Sequence, residues 1–212
     1  MKRYVVISLA GIAAILALLS SSVLSQKPDA KMEAFHQSLK HETAGDYQKA
    51  VADLLPIYKQ QNDDYLSNLR LGWLQYQNKN YKESKKYYSQ AVQLTNSKSI
   101  EALLGSTLPL AALNEWNAVE EAYQSILKLD PMHYTANLRL GQILLNKGLY
   151  ADAKAFLEKL HTYYPAAYEP NLSLGWTYYY LGERKKAGDL LTTALLLSPG
   201  DTLAIKGLSL VK

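Results

Sequence analysis

The chain contains the stretch NLRLG at 137–141, and closely related stretches occur before and after it. NLRLG stands at 68–72 and NLSLG at 171–175. A second pattern keeps step with the first, because three prolines follow one another at intervals of 34 residues: Pro131, Pro165 and Pro199. A fixed period in this range indicates a stack of repeated structural units. Such arrays present a long concave surface, which favours recognition over catalysis.

The amino-acid composition limits the classes of protein to which the chain can belong. The chain has 212 residues, of which 48% are apolar and 20% charged, so it can bury a core and is not disordered. The formal charge is +4, but Lys2 and Arg3 supply two of the cations, and the remainder has 21 basic against 19 acidic residues, or +2. That balance is too weak and scattered to predict a nucleic-acid partner. Cysteine is absent, which excludes disulfides, thiolate metal sites and cysteine nucleophiles.

The first 25 residues have the layout of an export segment. Met1, Lys2 and Arg3 form a positive leader, 5–19 is almost wholly apolar, and 20–25 is rich in serine. This order is typical of a signal peptide cleaved before Gln26. The apolar run is also close to the length of an uncleaved membrane anchor. Both interpretations place the repeats outside the cytoplasm, as a periplasmic, secreted or inner-membrane-anchored protein, and 26–30 is predicted to be a linker.

Five repeats fill most of the chain, each with two apolar-periodic segments separated by a turn. The predicted repeats are 31–64, 65–99, 100–133, 134–167 and 168–201. An aromatic residue follows the turn in the first four, and a small or compact side chain follows three residues later in all five: Ala50, Ser84, Val119, Ala153 and Ala187. Residues 202–212 predict a capping helix whose apolar residues cover the open end of the fifth repeat: Leu203, Ile205, Leu208 and Val211.

This pattern resembles the tetratricopeptide repeat (TPR) family over 31–201. The Leu-Gly pair, the aromatic after the turn, the small residue and the closing proline occur in the family's order. Repeats one and three depart from it, with Gln37-Ser38 and Ser106-Thr107 in place of Leu-Gly. The resemblance implies an all-α, right-handed α-solenoid of about five helix-turn-helix repeats plus a C-terminal capping helix.

The resemblance also implies where a partner binds. In the family, the first helices of successive repeats line the concave groove, and the matching positions here are Leu69, Arg70, Trp73, Tyr76, Leu138, Arg139, Gln142, Leu172, Trp176 and Tyr179. Aromatic and arginine side chains dominate binding energy at interfaces. The alternative for Trp73 and Trp176 is that they fill gaps between helices.

No motif for catalysis, a cofactor or a metal occurs in the sequence. It lacks a phosphate-binding Gly-rich loop, a nucleophile elbow and a His-Glu-x-x-His pattern. His36 and His41 are five residues apart and do not share a helical face as a metal-binding pair would. The positions that form a chaperone-type carboxylate clamp in one TPR subclass do not hold the required side chains.

The sequence therefore predicts a non-enzymatic scaffold outside the cytoplasm that binds a protein or peptide segment in its groove. A carbohydrate-binding or enzyme-accessory module of the cell envelope is the alternative, because stacked aromatic residues also suit sugar rings.

Overall fold

The structure is a computed structural model that describes residues 29–212. The predicted signal peptide or anchor, and most of the predicted linker, lie outside the described residues. Within 29–212 the chain forms eleven helices and no strand. None of these helices is long and apolar enough to cross a membrane. The helices are α1 (Ala30–Thr43), α2 (Tyr47–Gln60), α3 (Tyr65–Gln77), α4 (Tyr81–Leu94), α5 (Ile100–Ala112), α6 (Trp116–Leu129), α7 (Tyr134–Asn146), α8 (Tyr150–Tyr163), α9 (Tyr168–Tyr180), α10 (Arg184–Leu197) and α11 (Thr202–Val211).

The chain divides into two compact units, one ending at Gln60 and the other beginning at Gln61. The described part of the first unit is a helical hairpin of α1 and α2. Ala50 and Leu54 of α2 are fully buried. His41 Nδ1 and Asp53 Oδ2 lie 2.6 Å apart and join the two helices.

The second unit contains α3 to α11, and each helix packs against the next along the chain. The first helices of repeats two to five begin at Tyr65, Ile100, Tyr134 and Tyr168. These are the residues at which those repeats were predicted to begin. The prediction of an all-helical solenoid of helix-turn-helix repeats is confirmed. Gly148, in the turn between α7 and α8, has φ +77°, a left-handed conformation that glycine adopts without side-chain strain.

The two helices of a repeat approach most closely at the glycine of the Leu-Gly pair. A Cβ atom placed on Gly141 of α7 would lie 2.7 Å from Cγ of Leu157 in α8. A Cβ on Gly72 of α3 would lie 2.9 Å from the ring of Tyr88 in α4. Both partner side chains are buried. The glycines are therefore explained by helix packing.

A buried asparagine near the start of three first helices fixes the preceding turn. Asn137 Nδ2 donates to the carbonyl oxygens of Pro131 at 3.1 Å and His133 at 3.0 Å. Asn68 and Asn171 make the same pair of bonds to the residues six and four positions before them. All three asparagines are fully buried. The Nδ2 group of each asparagine thus holds the incoming turn against the helix.

Tyrosines at the start of first helices connect one repeat to the next. Tyr168 Oη donates to Asp201 Oδ2 at 2.6 Å, and Asp201 also caps α11 by accepting from the Ala204 amide. In the same manner Tyr65 Oη lies 2.8 Å from Ser99 Oγ, and Ser99 caps α5. A helix cap is typically worth about 1 kcal/mol. These contacts therefore tie each cap to the preceding repeat.

Helix α11 covers the end of the fifth repeat through a different face from the one predicted. Its fully buried positions include Ala204, and a Cβ on Gly207 would lie 2.6 Å from Leu191 Cδ1. Leu208 and Val211 pack against the core as predicted. The prediction was wrong for Leu203 and Ile205, which are 52% and 49% exposed. Since a helix turns once in 3.6 residues, the face formed by 204, 207, 208 and 211 excludes 203 and 205.

Because Gly141 is closely packed and Gly188 is not, replacing each by alanine should change the stability of the protein differently. We expect Gly141→Ala to lower the free energy of unfolding by roughly 1 to 2 kcal/mol, because overpacking against Leu157 outweighs the gain in helix propensity. The matched control is Gly188→Ala in α10, where a Cβ would meet only Val211 at an ordinary 3.5 Å. That variant should be neutral or up to about 1 kcal/mol more stable. Urea denaturation of both variants measures the difference, and equal effects would contradict the packing argument.

The bond from Tyr168 to Asp201 predicts a loss of stability at alkaline pH. Hydrogen bonding to Asp201, followed by burial, raises the pKa of Tyr168 from 10.0 to about 12. The folded state therefore holds this proton more tightly than the unfolded state. Its contribution is complete below about pH 10 and is lost as the pH rises toward 12.

The check is thermal melting between pH 8 and pH 12 with Tyr168→Phe. We expect this variant to be less stable than the wild type at pH 8, and the difference to shrink above pH 10. Tyr163→Phe is the control, because Tyr163 is 64% exposed. A constant difference across the whole pH range would refute the role of the Tyr168 proton.

Candidate partner-binding groove

Two adjoining clefts run along the first helices of the unit that begins at Gln61. The N-terminal cleft, of about 380 Å³, is lined by residues of α3, α5, α6 and α7. The C-terminal cleft, of about 510 Å³, is lined by residues of α7, α8, α9 and α11. Gln142 and Asn146 line both clefts, so the two adjoin at α7. We call the surface formed by both clefts the groove.

Aromatic rings form a connected cluster at the C-terminal cleft. Tyr150 and Tyr180 stack with centroids 4.7 Å apart and planes 8° from parallel. Trp176 lies 5.9 Å from Tyr180 in a tilted contact and meets Tyr179 edge-on at 5.6 Å. Such pairs are worth about 0.5 to 1.5 kcal/mol beyond burial. The cluster therefore holds Trp176 in one orientation at the cleft.

Polar side chains of α7 and α9 form a network along the groove. Arg139 Nη1 donates to Gln142 Oε1 at 2.8 Å and to Glu169 Oε1 at 3.2 Å. Gln142 Nε2 donates to Ser173 Oγ at 3.1 Å. The network fixes the Gln142 amide between the two clefts. The side chain of Arg139 remains 46% exposed, so its guanidinium group can still donate a hydrogen bond to a partner.

The predicted groove residues of α3 are half-buried, and they differ in position. Tyr76 lines the N-terminal cleft. Trp73 does not line it, and its ring lies 6.3 Å from that of Tyr76 in a tilted contact. Leu69 and Arg70 also lie outside both clefts. On α3, therefore, Tyr76 is the predicted residue that the structure brings to the groove.

Of the predicted residues of α7 and α9, some line a cleft and others do not. Arg139 and Gln142 line the N-terminal cleft, and Gln142, Leu172 and Trp176 line the C-terminal cleft. Tyr179 supports Trp176 from the side without lining either cleft.

Leu138 departs from the prediction. It is only 1% exposed and belongs to the core formed with residues of α9 and α10. Leu138 is buried because α9 lies beside α7 and covers it. Leu172, at the equivalent position of the next repeat, is one of the residues that pack against this core. Leu138 therefore offers no surface to a partner.

The residues of the C-terminal cleft that sequence reasoning missed include Tyr150, Leu203 and Lys206. A signal for Lys206 was present. Counting from the N-cap, Lys206 follows Asp201 at the same distance at which Leu172, which lines the cleft, follows Ala167. Helix α11 thus takes the position of one more first helix. Interpreting 202–212 only as a cap concealed this.

The groove carries no acidic side chain among the residues that line its two clefts, whereas Arg139 and Lys206 are part of that lining. Within residues 29–212 no group of three histidine, cysteine or carboxylate side chains could hold a metal ion. The arrangement is therefore suited to non-covalent contact through apolar, aromatic and cationic groups.

Comparison with protein families agrees with the fold. Family models for the tetratricopeptide repeat match residues 66–98 and residues 110–169. The chain is a tetratricopeptide repeat protein. No curated protein matches the sequence significantly.

Solved structures with the same fold include several TPR proteins. A tetratricopeptide repeat protein from Parabacteroides merdae gives a TM-score of 0.76 at 17% identity, covering 86% of this chain and 72% of its own. YrrB, described as a TPR protein with an unusual peptide-binding site, gives 0.71 at 18% identity, covering 88% and 95%. MamA gives 0.71 at 20% identity, covering 81% and 93%. At these identities the likeness is one of fold.

Proposed function

We propose that the protein is a non-enzymatic TPR scaffold, exported or anchored in the membrane, that binds a protein or peptide segment in the groove. The observation that carries the proposal is that the two clefts adjoin along the first helices and share Gln142 and Asn146 in their linings. Together the clefts offer an elongated surface, which suits an extended chain segment better than a compact small molecule. Their lining supplies both apolar anchors and polar groups.

The chemistry of the lining supports a peptide ligand. Trp176 and Tyr180 at one end, and Tyr76 and Trp116 at the other, give each cleft large rings. Rings of this kind lose little conformational entropy on binding and supply much contact area. The solved structure of YrrB, described as having a peptide-binding site, supports the proposal by likeness of fold.

The proposed location rests on the N-terminal sequence. A positive leader followed by an uncharged apolar run favours insertion into the membrane with the leader on the cytoplasmic side. The repeats would then lie in the periplasm or beyond, or would be held at the inner membrane by the uncleaved segment.

The groove is tested in the full-length protein by truncating Trp176, which lines it, and Trp73, which does not. A random dodecapeptide library selected on the wild type supplies ligands, and fluorescence anisotropy measures their affinity. We expect Trp176→Ala to weaken binding about 30-fold, because a buried interface anchor is worth about 2 kcal/mol. Trp73→Ala should weaken binding less, since Trp73 lies outside both clefts.

Melting temperatures separate the groove from the core. Trp176 also packs against the core, so Trp176→Ala is expected to lower the melting temperature as well. Tyr163→Ala is the control, since Tyr163 is 64% exposed and lines neither cleft. If folded Trp176→Ala protein bound every selected peptide with wild-type affinity, the groove assignment would be wrong. Failure to select any peptide would reject peptide binding itself.

Export is tested by fusing a reporter enzyme that is active only outside the cytoplasm after Lys212. We expect activity from the full-length fusion and silence when residues 1–25 are deleted. A silent full-length fusion at normal expression would reject export. Intact mass distinguishes the two forms, because a mature chain that starts at Gln26 indicates a signal peptide and an intact Met1 in the membrane fraction indicates an anchor.

A further inference from the structure

Helix α11 forms one wall of the C-terminal cleft. Its buried face, with Ala204 and Gly207, packs on the fifth repeat, while Leu203 and Lys206 line the cleft. Leu203 remains 52% exposed. An apolar and a cationic side chain on the same wall are not required by the capping role of the helix, since neither is buried against the repeat.

Lys206 differs from the other cation of the groove. Arg139 is paired with Glu169 at 3.2 Å, whereas the side-chain ammonium group of Lys206 forms no ion pair or hydrogen bond with any residue in 29–212. No aspartate or glutamate lines the C-terminal cleft. The cleft therefore carries one net positive charge that the described residues do not neutralise, and a carboxylate of a ligand is its natural complement.

Much of the lining of the C-terminal cleft is apolar. Leu145 of α7, Leu172 and Trp176 of α9 and Leu203 of α11 contribute to it, together with Lys206. The stacked pair of Tyr150 and Tyr180 uses one face of each ring internally, so those faces are closed to a sugar. An apolar side chain fits this lining better than a pyranose, which requires an open aromatic face and several hydrogen-bonding groups.

The side-chain amide of Asn146 adds a polar group at the junction of the two clefts. It lines both, and it makes no hydrogen bond with another described side chain or backbone group. An amide offers both a donor and an acceptor, which matches the alternating groups of a peptide backbone. A peptide that crosses from one cleft to the other would pass this residue.

From these observations we infer that the C-terminal cleft binds an acidic peptide segment. An apolar side chain of the peptide packs between Trp176 and Leu203, and a neighbouring carboxylate pairs with Lys206. The inference rests on the proposed function and specifies its ligand. Helix α11 is then a ligand-binding element as well as a cap.

The test uses the full-length protein and a synthetic dodecapeptide library with equal contents of acidic and basic residues. We expect selected peptides to be enriched in Asp or Glu next to a large apolar residue. For these peptides Lys206→Glu should weaken binding at least about tenfold, because it replaces attraction by repulsion, and added salt should weaken wild-type binding. Lys98→Glu makes the same change of charge at an exposed position outside the clefts and should leave affinity unchanged.

A second variant guards against an effect of charge alone. Leu203→Ser removes an exposed apolar side chain from the same wall and is expected to weaken the selected peptides without altering the melting temperature. Peptides that show no acidic enrichment, or that bind Lys206→Glu as tightly as wild type, would overturn the inference and leave peptide binding in the groove intact. If no peptide is selected and a glycan array is bound instead, both the inference and the proposed function fail.

Discussion

The close approach of the two helices within repeats two, four and five is the constraint on which the rest of the structure depends. At Gly141 the space that a Cβ would occupy is already filled by the side chain of Leu157, and Gly175 meets Leu191 in the same way. Contact at this distance fixes how the second helix crosses the first. The next first helix can then lie beside the previous one, as α9 lies beside α7. A row of first helices results, and the groove is the surface of that row.

Polar contacts maintain this arrangement from one repeat to the next. The asparagine amides hold each turn to the helix that follows it, and the Tyr168 hydroxyl holds the cap of α11. Second helices are joined at equivalent places by ion pairs, Lys85 with Glu115 and Lys154 with Glu183. Exposed pairs of this kind contribute about 0 to 1 kcal/mol each. The buried amide bonds are therefore the stronger determinants of register.

The groove and the core share side chains, which has a functional consequence. Trp176 lines the C-terminal cleft, packs against the core and lies 3.4 Å from the position of a Cβ on Gly207. A ring held on several sides presents a preformed surface, and preformed surfaces lose less entropy on binding. The same sharing means that the position of α11 controls the shape of the cleft. The capping helix and the C-terminal cleft are physically one structure.

The sequence by itself determined the period of 34 residues, the pairing of helices, the turns and the family, because these depend on local spacing of apolar, small and glycine residues. The resemblance to the family also predicted a groove along the first helices. The tertiary structure decided which residues reach that surface. Leu138 and Leu172 occupy equivalent positions, yet only Leu172 lines a cleft, because burial depends on the neighbouring helix. Likewise, Lys206 became a groove residue only through the packing of Ala204 and Gly207, a contact between helices that helical periodicity alone does not specify.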